Sequence, residues 1–273
     1  MLGAIVGDVI GSVHEGAGTK TKDFPLFVSG STFTDDSVLT VAVADWIMSG
    51  RDLVSLLHAY TEAYPGRGYG GMFRHWAGNC LREPYNSFGN GAAMRVSPVG
   101  FAFDTIEEVV AWAERSAGVT HNHPEGIRGA QATAVAIYLA RHGQSKDQIR
   151  AALESQFGYD LEARLDQIRP SYGFDETCQG TVPQALVAFF ESTSYEDAVR
   201  NAISLGGDAD TLACIAGGVA EAFYGGVPPD ITQRAMALLD DELVAVIGRF
   251  QERLDLTSRD VKVSRSSLEV SGG

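Results

Sequence analysis

The sequence predicts an all-α fold, a compact single domain of roughly ten helices. Three observations carry that prediction. Strand signals are missing: no period-2 alternation is sustained, and the Asn90-Gly91 pair has no strand-like flanks. Helix start and stop signals recur along the whole chain. Several segments are apolar nearly all round, as helices at the centre of a large helical domain must be. With 273 residues, 45% hydrophobic and 21% charged, the chain can bury such a core. It shows no repeat, linker or low-complexity block.

The first element runs from Gly3 to Glu15 as GAIVGDVIGSVHE. Read as a helix, Gly3, Gly7 and Gly11 form one stripe, and Asp8, Ser12 and Glu15 another. Glycine costs a helix about 1 kcal/mol relative to alanine, so three of them point to close backbone contact. The plainest version is tight packing with an exposed polar face. Residues 1–13 are apolar but have no basic leader and carry Asp8 in their midst, so a cleaved signal is not expected. Next, Thr34-Asp35-Asp36-Ser37 stands before the apolar helix Val38–Met48, where it can serve as an N-cap with acids complementing the dipole. Leu53–Tyr60 is amphipathic and belongs on the outside.

Gly89-Asn90-Gly91-Ala92-Ala93-Met94-Arg95 then forms a glycine-rich turn. Its backbone N–H groups suit a phosphate, or it is simply a tight loop. It is neither a Walker A loop nor a Rossmann fingerprint. Thr105 with Glu108 opens an outer helix, Ile106–Ala117. Thr120-His121-Asn122-His123-Pro124 opens another, with Pro124 in its first turn. Here Asn122 or His123 can cap, or the polar side chains can face a ligand. Ala130–Ala140 is apolar all round, and Gly143 stops it. Ser145 with Gln148 is a second capping box, for Lys146–Gln156. Residues 157–178 carry no recognisable motif, and Pro183 is placed in the first turn of the next helix. Gly206-Gly207 ends a helix, and Asp208-Ala209-Asp210-Thr211 precedes the apolar Leu212–Tyr224. This is either a cap or an acid pair that converges if the loop stays extended to Asp210. Asp230 caps a helix to about Asp240, a last one ends near Leu254, and 258–273 is a fraying tail.

The formal charge is −14 with no basic cluster, which disfavours duplex nucleic acid and anionic membranes as partners. Cys80, Cys178 and Cys214 are odd in number and lack CxxC spacing. That argues against a disulfide framework and structural zinc, and suits a reducing, cytoplasmic setting. The two aspartate turns each supply two carboxylates and a threonine. With Glu15 or Asp8 added, five carboxylates can face one cleft. Two bare carboxylates about 4 Å apart repel by roughly 4 kcal/mol at an effective dielectric of 20. Such a cluster calls for cations, and oxygen donors select Mg²⁺, Mn²⁺ or Ca²⁺. Two ions fit the ligand count better than one.

In this order, GAIVGDVIGSVHE, TDDS, GNGAAMRVSP, THNHPEGIRGA and GGDADT resemble the ADP-ribosylglycohydrolases, from about Gly3 to Gly226. The resemblance implies a compact all-α domain over residues 1–257, with a binuclear Mg²⁺ centre, Mn²⁺ as a substitute, in an ADP-ribose cleft. It implies Thr34, Asp35, Asp36, Asp208, Asp210 and Thr211 as metal ligands, with Glu15 beside the metals. Catalytic proton handling then falls to Glu15, Asp35 or Asp36. Gly89, Asn90, Gly91, Ala92, Ala93 and Met94 would embrace the diphosphate and distal ribose, with His121 and Asn122 toward the adenosine. The implied reaction removes ADP-ribose from a protein or small-molecule conjugate by cleaving the glycosidic bond at the distal ribose. Residues 157–178 would shape adenine binding or admit the modified target. Two other readings stand beside it: a non-catalytic ADP-ribose-binding or crystallin-like structural protein, and a metal-dependent nucleotide phosphohydrolase.

Overall fold

The computed structural model describes the backbone of residues 1–270 and the side chains of 1–256; the tail expected at 258–273 lies outside the residues whose side chains are described. Among the described residues there are fifteen helices and no strand, apart from a single bridge between Gly89 and Thr177. In chain order they are α1 Leu2–Gly11, α2 Asp35–Ser49, α3 Leu53–Ala63, α4 Gly71–Gly78, α5 Gly91–Met94, α6 Ser97–Ala102, α7 Ile106–Gly118 and α8 Pro124–Arg141. There follow α9 Lys146–Phe157, α10 Leu165–Ile168, α11 Cys178–Phe190, α12 Tyr195–Ile203, α13 Ala209–Tyr224, α14 Pro229–Met236 and α15 Asp241–Val270. The fold is all-α and forms one domain around one core. No described helix is long and apolar enough to cross a membrane.

The helices that read as apolar all round occupy the centre. Val38 to Ala44, Ala134 to Ile137 and Leu212 to Ala216 are all buried. The amphipathic α3, α7 and α9 lie outside, burying one face each. The capping box at Ser145 and Gln148 closes in both directions, whereas Thr105 caps α7 by accepting from the Glu108 N–H.

The glycine stripe of α1 is an instruction to pack against α13. A Cβ on Gly3 would lie 2.4 Å from Gly217 O, one on Gly7 2.1 Å from Ala213 O, and one on Gly11 2.5 Å from Asp210 Cα. These are backbone atoms, which cannot step aside. The two helix axes therefore touch along three turns.

Two local expectations are corrected. α1 ends at Gly11, where Ser12 N–H donates to Asp8 O, instead of continuing to Glu15. Asp8 and Glu15 therefore share no helix face; Asp8 is fully buried, and the turn through Gly16, at φ +68°, turns the chain beyond Glu15 out of the helix. Pro183 lies inside α11, which opens earlier, at Cys178, because Thr177 caps it by accepting from Gly180 N–H at 3.1 Å.

Candidate active site

Asp8 organises the start of α2. Its Oδ2 accepts from the backbone N–H groups of Thr34 and Ser37 at 3.0 and 3.1 Å and from the Ser37 hydroxyl. Its Oδ1 accepts from the Thr34 hydroxyl at 2.6 Å. Thr34 Oγ1 accepts in turn from Asp36 N–H at 3.2 Å, and Asp35 N–H donates to Arg67 O at 2.7 Å. The orphan donors of the helix start are thus met without the Asp35 and Asp36 carboxylates. Those two acids are left free to line a cleft.

The start of α13 faces them. Gly206, at φ +67°, turns the chain after α12, and a Cβ there would lie 2.6 Å from Thr19 O. Asp208 stands at the N-cap position but caps no N–H. Its Oδ2 accepts instead from Asn90 Nδ2 at 2.7 Å. The helix begins at Ala209, one residue before the extended loop was expected to end, yet the acids converge. Oxygens of Glu15, Asp208 and Asp210 all lie within 4.8 Å of one another, as do those of Asp8, Asp36 and Asp210. Thr211 Oγ1 donates to Asp36 Oδ2 at 3.3 Å and ties the two turns together.

Burial pushes Asp35, Asp36 and Asp210 well above the usual carboxylate range, and the neighbouring carboxylates push in the same direction. Glu15 is raised as well, first by desolvation and then by Asp208 and Asp8. Asp36 Oδ1 is buried with no hydrogen-bond partner. An orphan carboxylate oxygen inside a ring of acids fits a divalent cation, and the all-oxygen donor set suits Mg²⁺ or Mn²⁺. Asp8 is close enough to take part, but its oxygens already accept four hydrogen bonds. Its role is to brace Thr34 and Ser37.

The opposite wall carries Gly89, Asn90, Gly91, Met94 and His121, all of which line the cleft. Other expected contacts lie behind it. Ala92 and Ala93 are fully buried and Thr34 faces Asp8. Asn122 is exposed, its Oδ1 accepting from Asn86 N–H at 2.8 Å, so that it holds the 86–88 loop. Arg95 borders the cleft, but its side chain is fully buried and donates through Nη2 to Ser116 O and Thr120 Oγ1. The sequence reading missed two lining stretches, 68–73 and 85–88; a third, 174–177, falls in the 157–178 region expected to shape adenine binding or admit the modified target. Met72, Phe88 and Phe174 form an apolar rim there, 58%, 45% and 57% exposed. The glycines at 66, 68, 70 and 71 were the available signal. A Cβ on Gly68 would lie 3.1 Å from Asp35 Oδ1.

The family model of the ADP-ribosylglycohydrolases matches residues 1–259. The chain belongs to the ADP-ribosylglycohydrolase family. Among its relatives, the ADP-ribosylhydrolase ARH3 of Bos taurus is 27% identical over 305 residues, covering 82% of this chain and 84% of its own length. The ADP-ribosylarginine hydrolase Tri1 of Pseudomonas putida (strain GB-1) is 28% identical over 274 residues, covering 86% and 72%. A solved structure titled ADP-ribosylglycohydrolase-related protein complex superposes with a TM-score of 0.65 at 26% identity, covering 93% of this chain and 97% of that one. Membership accounts for the all-α fold, and the five ordered motifs of this chain all fall within the matched span.

Proposed function

We propose that the chain hydrolyses the glycosidic bond joining the distal ribose of ADP-ribose to an acceptor, with two Mg²⁺ ions as cofactor. The observation that carries this reading is the convergence of Glu15, Asp35, Asp36, Asp208 and Asp210 on a cleft whose other wall is the Gly89–Gly91 turn. Asp35, Asp36, Asp208 and Asp210 would hold the ions, with Thr211. The Thr34 hydroxyl, donating to Asp8 and accepting from Asp36 N–H, keeps one lone pair for the same purpose. When bound, the ions supply charge that neutralises the acids and orients ribose hydroxyls.

The chain's own groups do the rest. Glu15 makes no hydrogen bond among the described residues, and its raised pKa suits a group that takes a proton from attacking water. The carboxylate wall faces the positive charge that develops at the anomeric carbon. Gly91 leaves room for a diphosphate to approach the backbone beside His121. The apolar rim of Met72, Phe88 and Phe174 offers a flat group, such as a nucleobase, a surface to cover. The three unpaired cysteines are consistent with a cytoplasmic setting.

The test is incubation of the protein and Mg²⁺ with a panel of ADP-ribose conjugates to arginine, serine, nucleobase and metabolite, with products identified by mass. Intact ADP-ribose as product supports the reading. Release of AMP or inorganic phosphate overturns it in favour of a phosphohydrolase. Binding of ADP-ribose with no turnover of any conjugate overturns it in favour of a binding protein.

A further inference from the structure

His121 lines the cleft beside a buried cation, Arg95. Arg95 is 0% exposed and donates through Nη2 to Ser116 O at 2.6 Å and to Thr120 Oγ1 at 2.8 Å. Its Nε and Nη1 have no partner, and among the described residues no carboxylate pairs with it. Thr120 Oγ1 in turn lies 2.7 Å from His121 Nδ1. A guanidinium donates and never accepts, so the Thr120 hydroxyl accepts from Arg95 and keeps its own single proton to give. Among the described residues, His121 Nδ1 is the one acceptor that proton meets. Were Nδ1 itself protonated, Thr120 would receive from both sides. A fully buried hydroxyl proton would then go unmet, at the full desolvation cost of an unsatisfied donor.

The imidazole is also neutral, because burial and the Arg95 charge both hold His121 well below its ordinary pKa. A neutral ring that accepts at Nδ1 carries its proton on Nε2. Nε2 makes no hydrogen bond to any described residue, and the ring lines the cleft. A Cβ on Gly91 would lie 3.2 Å from Nε2 and one on Gly89 3.5 Å.

We propose that Arg95 and Thr120 are positioning residues that lock His121 in its Nε2-protonated tautomer, so that the wall beside Gly89–Gly91 presents one fixed, neutral N–H donor to a phosphoryl or ribose oxygen of the ligand. The ligand class rests on the ADP-ribose reading above; the tautomer does not. A locked donor cannot accept a proton, so His121 binds and orients while the acid–base work stays with the carboxylates.

The first measurement is ¹⁵N NMR of the imidazole in the unaltered, ligand-free protein at neutral pH. A proton on Nε2 of a neutral ring supports the proposal; a proton on Nδ1, or an imidazolium, overturns it. The second uses Thr120→Val, which keeps the side-chain shape and removes the hydroxyl. The expected result is a mixture of tautomers and about tenfold weaker ADP-ribose binding, equivalent to about 1.4 kcal/mol, with Thr120→Ser restoring both. Unchanged tautomer and affinity in Thr120→Val overturn the proposal, and should that variant not fold, the NMR measurement still decides. If the unaltered protein has no affinity for ADP-ribose, the functional reading fails while the tautomer remains separately measured.

Discussion

The starts of α2 and α13 each bring two aspartates to the same cleft, but they are held by different means. The α2 start is cross-braced by hydrogen bonds: Asp8 takes both backbone and hydroxyl donors from Thr34 and Ser37, and Thr34 caps Asp36. The α13 start has no cap, and its acid at that position looks outward to Asn90. It is held by shape, with Gly11 of α1 under Asp210 and Gly207 against Tyr172. One turn is thus fixed by polar satisfaction from a buried acid, and the other by backbone proximity that only glycine allows. At α2 this leaves the Asp35 and Asp36 carboxylates free for chemistry, whereas at α13 Asp210 Oδ1 also accepts from Thr211 N–H at 3.0 Å.

If the two turns form one site, neutralising an acid in either should be equally damaging. Asp36→Asn and Asp208→Asn, alongside Glu15→Gln, are expected to lower kcat by about 10²–10⁴-fold, with Glu15→Gln leaving ADP-ribose affinity near normal. Steady-state kinetics with ADP-ribose titration measures this. Full turnover in one aspartate variant would separate the turns into a functional and a structural one. Next in size is a stability effect confined to the second turn. Gly11→Ala sets a Cβ 2.5 Å from Asp210 Cα and should cost about 3 kcal/mol in urea unfolding, despite alanine's better helix propensity. A neutral or stabilising result would show that shape does not hold that turn.

How much of this was visible in the sequence follows the same division. Glycines repeating every four residues, and acids at helix starts, are local patterns, and they led to a close backbone contact along α1, though not to its partner, and to both turns. Helix spans were legible where caps and apolar periodicity agreed, as at Lys146–Phe157. The fate of Asp8 was not legible. It sits in the same stretch as Glu15, and only the folded chain shows that four donors reach the one and none the other. The apolar rim was hardly more legible, because Met72 at the start of α4 and Phe88 and Phe174 in two loops meet only through long-range packing, although Phe174 falls in the 157–178 region expected to face the ligand. Asn122 illustrates the converse: its motif suggested ligand contact, while its carboxamide supports the loop that carries Phe88.

Metal should act on the two turns together. A divalent ion at 100 times its dissociation constant is expected to stabilise the fold by about 2.7 kcal/mol, read as a rise in Tm that EDTA reverses. The pH dependence has a definite sign. Asp35, Asp36 and Asp210 have folded pKa values raised above their unfolded ones. Their contribution therefore favours the fold at low pH and is lost as pH rises through the raised values. Through these groups the EDTA-treated protein should lose stability as pH rises above the ordinary carboxylate range, and Mg²⁺ should flatten that slope. His14, His58 and His121, whose pKa values are lowered, act in the opposite direction, so the comparison is with Asp36→Asn: a pH slope that this variant leaves unchanged, or calorimetry without divalent binding, contradicts the shared cluster.

The smallest effect gives the sharpest comparison. Thr34 and Asp208 occupy equivalent N-cap positions, but only Thr34 caps. Thr34→Ala should cost about 1 kcal/mol of stability in metal-free protein through the lost cap, and more if the Asp8 oxygen it serves is left unmet. Asp208→Asn should change stability by less than about 0.5 kcal/mol. Its amide oxygen can still accept from Asn90, and loss of the charge relieves Asp35, Asp36 and Asp210, each raised in part by Asp208. Paired denaturation curves in EDTA measure the difference. A larger loss for Asp208→Asn than for Thr34→Ala would mean that the second turn depends on its carboxylate for structure. The acid could then not be free for a metal in the way the geometry implies.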